Sequence, residues 1–99
     1  MAFGIKKNEL KTWKQQVENG EVVFLTHYWF DIRFPECNTV TKVGCSDIDK
    51  LIEWGKKYNL NPKWIHLDES YPHFDLLGDR QKYILAEEKQ WDQIKRFNL

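Results

Sequence analysis

Apolar positions along this chain recur with two different periods. In "NELKTWKQQVENG" the residues Leu10, Trp13 and Val17 return at helical spacing, Asn8 can cap the start, and Gly20 can close the end in the left-handed conformation. The spacing predicts a helix over 8–19. The following "EVVFLTHYWF" is dense in β-branched and aromatic residues, without a breaker. That run is too continuous for a strand with one wet face, and it predicts a central strand over 21–28. "DIRFPECN" carries Asp31, Pro35 and Asn38, each a turn former, and reads as a loop.

Beyond the loop, "TVTKVG" alternates Val40 and Val43 with polar residues and predicts a short strand ending at Gly44. Ser46 with Asp49 resembles a capping box, and Ile48, Leu51, Ile52 and Tyr58 form the apolar stripe of a helix over 46–58, stopped by Asn59 and Pro62. "KWIHL" reads as a third strand. Strand, helix and strand joined by short turns predict a right-handed βαβ crossover with parallel strands. A last helix, "GDRQKYILAEEKQW", is expected behind a cap at Asp79 with Tyr83 and Ile84 facing inward, and Trp91, Ile94 and Phe97 lay the tail against the body. The expectation is an α/β (or α+β) fold in a single small domain over 1–99. Its sheet is short and mostly parallel, of about three strands, with about three helices and a βαβ-like unit.

Composition narrows the class. With 41% hydrophobic and 30% charged residues the chain has enough apolar surface for a core and needs no staple. Cys37 and Cys45 do not make a metal-binding spacing, and "MAFGIKKNEL" lacks the apolar core of a secretory signal, so a cytoplasmic protein with reduced thiols is expected. No apolar run approaches the ~20 residues of a membrane span, which sets membrane partners aside. Fifteen basic and fifteen acidic residues give net charge +0, without the basic excess of a non-specific nucleic-acid binder. The charge is uneven, however. From Ile65 to Asp79 there is no Lys or Arg, while Asp68, Glu69, Asp75 and Asp79 lie there with His66 and His73.

Three polar clusters interrupt the apolar segments. His27, Asp31 and Arg33 fall at and after the first strand, where ligands gather in parallel sheets; a structural carbonyl bond for His27 and an Asp31/Arg33 loop pair explain them equally. The second cluster is His66, Asp68 and Glu69 followed by His73 and Asp75. In an extended segment His73 and Asp75 share a face, so they can bind one divalent ion or act as acid and base, whereas His66 is read as looking elsewhere. Asp75 bonding backbone amides and His73 as a wedge is the structural alternative. Lys42 with Ser46, Asp47 and Asp49 is better explained by helix capping than by phosphate binding, since the acids repel an anion. Neither a Walker pattern nor a dinucleotide fingerprint is present. Trp13, Trp54 and Trp91 read as packing residues, and Trp29 as packing or a stacking platform at the rim of a site.

Taken together, "FLTHYWFDIRFP", "VTKVGCSDIDKLIEWGKKY", "WIH" and "YPHFDLLG" resemble a group of small uncharacterised proteins of Bacillus and its relatives, the YneQ-like group, over nearly the whole chain. More distantly, the order of elements and an H-[YF]-D motif, here His73, Phe74 and Asp75, look like a bacterial and phage domain family of unknown function. The first helix and the "WDQIKRFNL" tail depart from that pattern. Neither resemblance implies an activity. The residues themselves lead to a cleft that binds, and in a stronger form hydrolyses, a phosphate-containing ligand such as a nucleotide or nucleic-acid end. Catalysis would fall to His73, Asp75 and His27, ligand contacts to Arg33, Asp31, Lys42 and Tyr71, and any divalent metal ion to His73 and Asp75. The competing expectation is a non-catalytic adaptor that binds a protein through exposed aromatic residues. A third is nucleic-acid binding through Lys6, Lys7, Lys11 and Lys14.

Overall fold

Three strands and four α-helices form among residues 5–67 and 71–99, which the computed structural model describes. Helix α1 (Lys7–Glu18) leads into strands β1 (Val23–Tyr28) and β2 (Thr39–Gly44), and α2 (Ile48–Lys56) and a 3₁₀ turn (Pro62–Trp64) follow. Strand β3 (His73–Leu76), α3 (Gly78–Glu87) and α4 (Trp91–Arg96) complete the order. No helix among the described residues is long and apolar enough to cross a membrane.

The sheet has the order β1-β2-β3 and is antiparallel at both junctions, which overturns the mostly parallel sheet and its βαβ unit. Two local causes account for the difference. The segment "DIRFPECN" is a closed hairpin loop, in which the Trp29 amide donates to the Asn38 carbonyl at 2.9 Å and turns at Asp31 and Phe34 reverse the chain. Strands joined by so short a loop run antiparallel. "KWIHL" is not a strand: Asn61 accepts from the Lys63 amide, Pro62 starts the 3₁₀ turn, and only His66 pairs, in an isolated bridge to His73. The third strand is "HFDL", whose Phe74 and Leu76 are each 1% exposed.

Register then divides the sheet into two unlike faces, because residues directly opposite in an antiparallel pair point the same way. One face carries Val43, Phe74 and Leu76 into a core with Leu51, Trp54, Leu60 and Ile84 of the helical side. On the other, Trp13 and Val17 of α1 cover Leu25 at one end of β1. Gly44 permits that approach, since a Cβ there would lie 2.6 Å from the Trp13 ring and 2.9 Å from Val17.

The caps differ from those expected. Glu9 accepts from the Lys6 amide at 3.0 Å, so α1 begins before Asn8, and Asp47 rather than Ser46 caps α2 by accepting from the Lys50 amide. Helix α3 turns Gln81, Ile84 and Leu85 inward, so Tyr83 is 60% exposed instead of facing the core. Trp91 is also exposed, because α4 is held to the sheet by Gln93. Between α2 and α3, the half-buried Glu88 accepts from Trp54 Nε1 at 2.9 Å and from the Tyr58 hydroxyl.

Polar groups on the core face are threaded into one directed chain. The Thr39 hydroxyl donates to Gln81 Oε1 (3.1 Å), Gln81 Nε2 to Thr41 Oγ1 (2.9 Å), and the Thr41 hydroxyl to Thr26 Oγ1 (2.6 Å). Thr26 in turn donates to Gln93 Oε1 (2.6 Å), and Gln93 Nε2 to the Phe24 carbonyl (3.1 Å). The chain bolts α3 and α4 to β1 and β2, with each hydroxyl hydrogen used once. Thr41→Val keeps the shape and removes the central hydroxyl, leaving buried polar groups of Gln81 and Thr26 short of a partner. It is expected to destabilise the protein by about 1–3 kcal/mol in urea denaturation. A loss below about 0.5 kcal/mol would show that the chain does not hold the helices in place.

Candidate functional site

The face opposite the core gathers several of the chemically capable side chains into adjoining rows. His27 stands opposite Val40, Lys42 lies between Leu25 and Asp75, and His73 is opposite Gly44 on one side and His66 on the other. The antiparallel register brings His27, Lys42, His73 and Asp75 to one face. Lys42 and Asp75, directly opposed, have Cβ atoms about 4.5–5.5 Å apart by strand geometry.

Asp75 is the centre of the group. Its Oδ2 is 3.1 Å from His66 Nε2 and its Oδ1 is 3.5 Å from His73 Nε2, and the two imidazole rings stack with centroids 5.1 Å apart and planes at 20°. The second ring nitrogen of His73, Nδ1, meets the Tyr71 carbonyl at 2.8 Å. A carbonyl only accepts, so that nitrogen carries a hydrogen, and Nε2 is the ring nitrogen that faces the carboxylate. Exposure grades outward across the row: the His73 side chain is 12% exposed, Asp75 33% and His66 50%. Among the described residues, no group of three or more His, Cys, Asp or Glu side chains could hold a metal ion.

Other candidates are placed differently. Arg33 is committed to Asp31: its backbone amide and Nε meet Oδ1 at 2.9 Å each, and a terminal nitrogen meets Oδ2 at 2.6 Å. Those bonds hold the Asp31 carboxyl down at about 2 and raise the guanidinium. The pair stiffens the exposed β1–β2 loop and engages the fork that was expected to grip an anion. Tyr71 is half-buried beside Trp13, and its hydroxyl donates to Glu18 at 3.0 Å. Asp68 and Glu69 lie outside the described residues. Of the helix-α1 lysines, Lys14 lies over the Tyr71 ring at 5.4 Å. His66 is the member that sequence reasoning turned the wrong way, since its alignment with His73 depends on chain reversal, and the nearest signal was the pair of histidines flanking one acidic segment.

Two clefts lie elsewhere. One of about 290 Å³ opens between α1, β1 and α4, lined by Asn8, Trp13, Leu25, Gln93 and Arg96 among others. The second, about 360 Å³, is lined by Cys37, Thr39, Gln81, Lys82 and Leu99 among others. Neither includes His27, Asp31, Arg33, His73 or Asp75. The row lies outside both clefts and reaches solvent at Asp75 and His66.

His27 differs from its neighbours in burial. It is 3% exposed, its Nδ1 donates to the Tyr28 carbonyl at 2.9 Å, and its Nε2 is buried without a hydrogen-bond partner. Burial pushes the imidazole below its ordinary 6.5; the Tyr28 carbonyl opposes this, Lys42 adds to it, and Asp75 opposes it. Between the folded value and 6.5 the unfolded chain takes up a proton that the folded chain refuses. Stability from this group is therefore complete above about 6.5 and falls as pH drops towards the folded value. Urea denaturation at stepped pH is expected to show that fall in the wild type and a shallower one in His27→Gln. Equal slopes would show that His27 is not buried in its neutral form.

Comparison with known proteins places the chain. It is 60% identical to the uncharacterized protein YneQ of Bacillus subtilis (strain 168), with the full length of both chains aligned. No protein-family model matches it, and no solved structure matches it. At that identity over that length, the chain belongs to the YneQ family.

Proposed function

We propose that the platform of Lys42, His66, His73 and Asp75 binds an exposed phosphate group, as at a nucleic-acid end, and that it binds without hydrolysing. The observation that carries this reading is the register pair Lys42–Asp75 beside two histidines on a solvent-facing part of the sheet. The Lys42 ammonium and the half-exposed His66 ring can donate to phosphate oxygens, with His73 and Asp75 holding His66 in place, and a row outside the clefts accommodates a terminal phosphate on a large molecule better than a small ligand, which favours concave sites. Hydrolysis is not part of the reading, because among the described residues neither cleft takes in the row. Arg33 has no part in it either, with its fork already on Asp31. Thermal denaturation with a 5′-phosphorylated oligonucleotide, against the same oligonucleotide ending in a 5′-hydroxyl, tests the reading. The phosphorylated form alone is expected to stabilise the wild type, by about 2.7 kcal/mol at a hundred times its Kd, and Lys42→Met should lose the effect. Equal responses to the two ends, or an unchanged response in the variant, would remove it.

A second reading, protein docking, rests on a separate observation. In the β1–β2 loop Phe30 is 80% exposed and Ile32 84%, with Tyr28 and Phe34 also exposed, on a backbone held by the Asp31–Arg33 pair and the Trp29–Asn38 bond. Large apolar side chains displayed on an ordered loop suit a partner surface. Phe30→Ser with Ile32→Ser is expected to leave the melting temperature unchanged and to abolish any self-association seen by sedimentation. A fall in melting temperature would instead assign these side chains to the fold.

A further inference from the structure

We infer that Trp64 and Arg80 form a stacking surface for the base that follows the phosphate held at Lys42 and His66, and that the ligand is therefore a single-stranded, 5′-phosphorylated nucleic-acid end. The inference rests on the reading above for the phosphate contact; the stacking surface stands on its own residues.

Trp64 is exposed on a backbone that is held in place. Asn61 accepts from the Lys63 amide at 2.9 Å, Pro62 opens the 3₁₀ turn, and the amides of Trp64 and Ile65 donate to the carbonyls of Asn61 and Pro62 at 2.9 and 3.2 Å. Ile65 takes the inward position and packs against the core, and the indole beside it is left 46% exposed. Trp13 and Trp54, by contrast, are 4% and 8% exposed and give their indole N–H groups to the Val23 carbonyl and to Glu88. A half-exposed indole on a braced turn contributes less to the core than those two and presents a flat π surface to solvent.

Arg80, in the first turn of α3, sets its guanidinium over that ring, 5.0 Å from the centroid. The chain has three arginines. Arg33 is engaged by Asp31 and Arg96 by Glu9, whereas Arg80 forms no ion pair among the described residues. An arginine seated on an indole keeps its charge and its edge donors available for an anion. A base laid on the pair gains both ring contact and cation–π attraction.

Position ties this surface to the phosphate donors. Trp64 precedes His66 by two residues, so their Cα atoms are at most about 7 Å apart. His66 reaches Asp75, the residue directly opposite Lys42. A phosphate and its own base can thus be held at neighbouring points along the outer side of β3. Single-stranded ends suit this arrangement, because an unpaired base can splay away from its neighbour and lie on an aromatic ring, whereas a paired base is held in its stack. Charge argues for a grip at the end alone. With fifteen basic and fifteen acidic residues and net charge +0, the chain has little attraction for a long phosphate backbone, so local contacts must provide the affinity.

Titration of the full chain against four DNA probes carrying a 3′ dye, read by fluorescence anisotropy, tests the surface. Three are single strands of one sequence: one with a 5′-phosphate, one with a 5′-hydroxyl, and one with a 5′-phosphate on an abasic first residue. The fourth is the phosphorylated strand annealed to its complement. The complete phosphorylated strand is expected to bind about fivefold or more tightly than the abasic strand, and Trp64→Leu to remove that difference. Arg80→Gln should weaken the complete strand as well, and the duplex should bind less tightly than the single strand. The abasic comparison is made on the wild-type chain, so it does not depend on how a variant folds. Equal affinity for the complete and abasic strands, or a difference that persists in Trp64→Leu, would overturn the stacking surface; a preference for phosphate over hydroxyl in the same experiment would leave the phosphate reading standing. Discrimination against the abasic strand that is lost in Trp64→Leu, with equal affinity for phosphate and hydroxyl ends, would uphold the stacking surface while the phosphate reading fell. Equal affinity for the duplex would overturn the single-strand assignment, and binding of none of the probes would overturn both readings.

Discussion

Strand β2 is the constraint on which the other elements depend. It is hydrogen-bonded on both sides, and its residues alternate between two environments that cannot be exchanged. Thr39, Thr41 and Val43 enter the helical side, where Thr41 is the hub of the buried hydrogen-bond chain. Lys42 and Gly44 face the other way. A slip of one residue would drive the Lys42 ammonium into the core and put a side chain where Gly44 admits the Trp13 ring. The register is therefore fixed twice, by a charge that must stay near water and by a contact that tolerates no Cβ.

The two faces solve the problem of polar groups in different ways. On the core side the polar atoms are hydroxyls and amides, neutral at all ordinary pH, and the directed chain satisfies them without water. Such a chain costs little once complete and specifies how α3 and α4 sit. On the opposite side the groups are ionisable, and their needs are met only in part: His27 keeps a buried nitrogen unpartnered. A fully satisfied network specifies structure, whereas an unsatisfied one leaves chemistry available.

That contrast also marks how far the sequence could be read. The helices were legible because Leu10, Trp13 and Val17, and then Ile48, Leu51 and Ile52, repeat at a helical period whatever the topology, although in the second it is Leu51 with Trp54 that is buried and Ile48 is exposed. Strand β1 was legible as a strand from its composition, but not its place: it is an edge strand, and the central one is β2. Strand direction was not, since it depends on whether the loop at 29–38 closes a hairpin, and that turns on backbone bonds such as Trp29 to Asn38. The phase of α3 was missed because Gln81 reads as a surface residue, whereas its buried role exists only where Thr39 and Thr41 wait to receive it. In the site, the shared face of His73 and Asp75 follows from the two-residue period of any extended chain. Lys42 and His27 join them through register alone, and His66 through one bridge, neither of which local sequence encodes.

The platform is bound to the fold through Tyr71. Its carbonyl orients His73, its hydroxyl reaches Glu18 at the end of α1, and its ring lies between Trp13 and Lys14. The Trp13 ring in turn occupies the space over Gly44, the residue opposite His73. Docking of α1 and the aim of the His73 ring are therefore one packing event: a shift of the helix that displaced Trp13 would move Tyr71, and with it the carbonyl that fixes which nitrogen of His73 faces Asp75. The exposed end of the platform, at His66, has no such brace. The inner histidine is thus held by the same packing that docks α1, whereas the half-exposed His66 is tied to the sheet only through its bridge to His73.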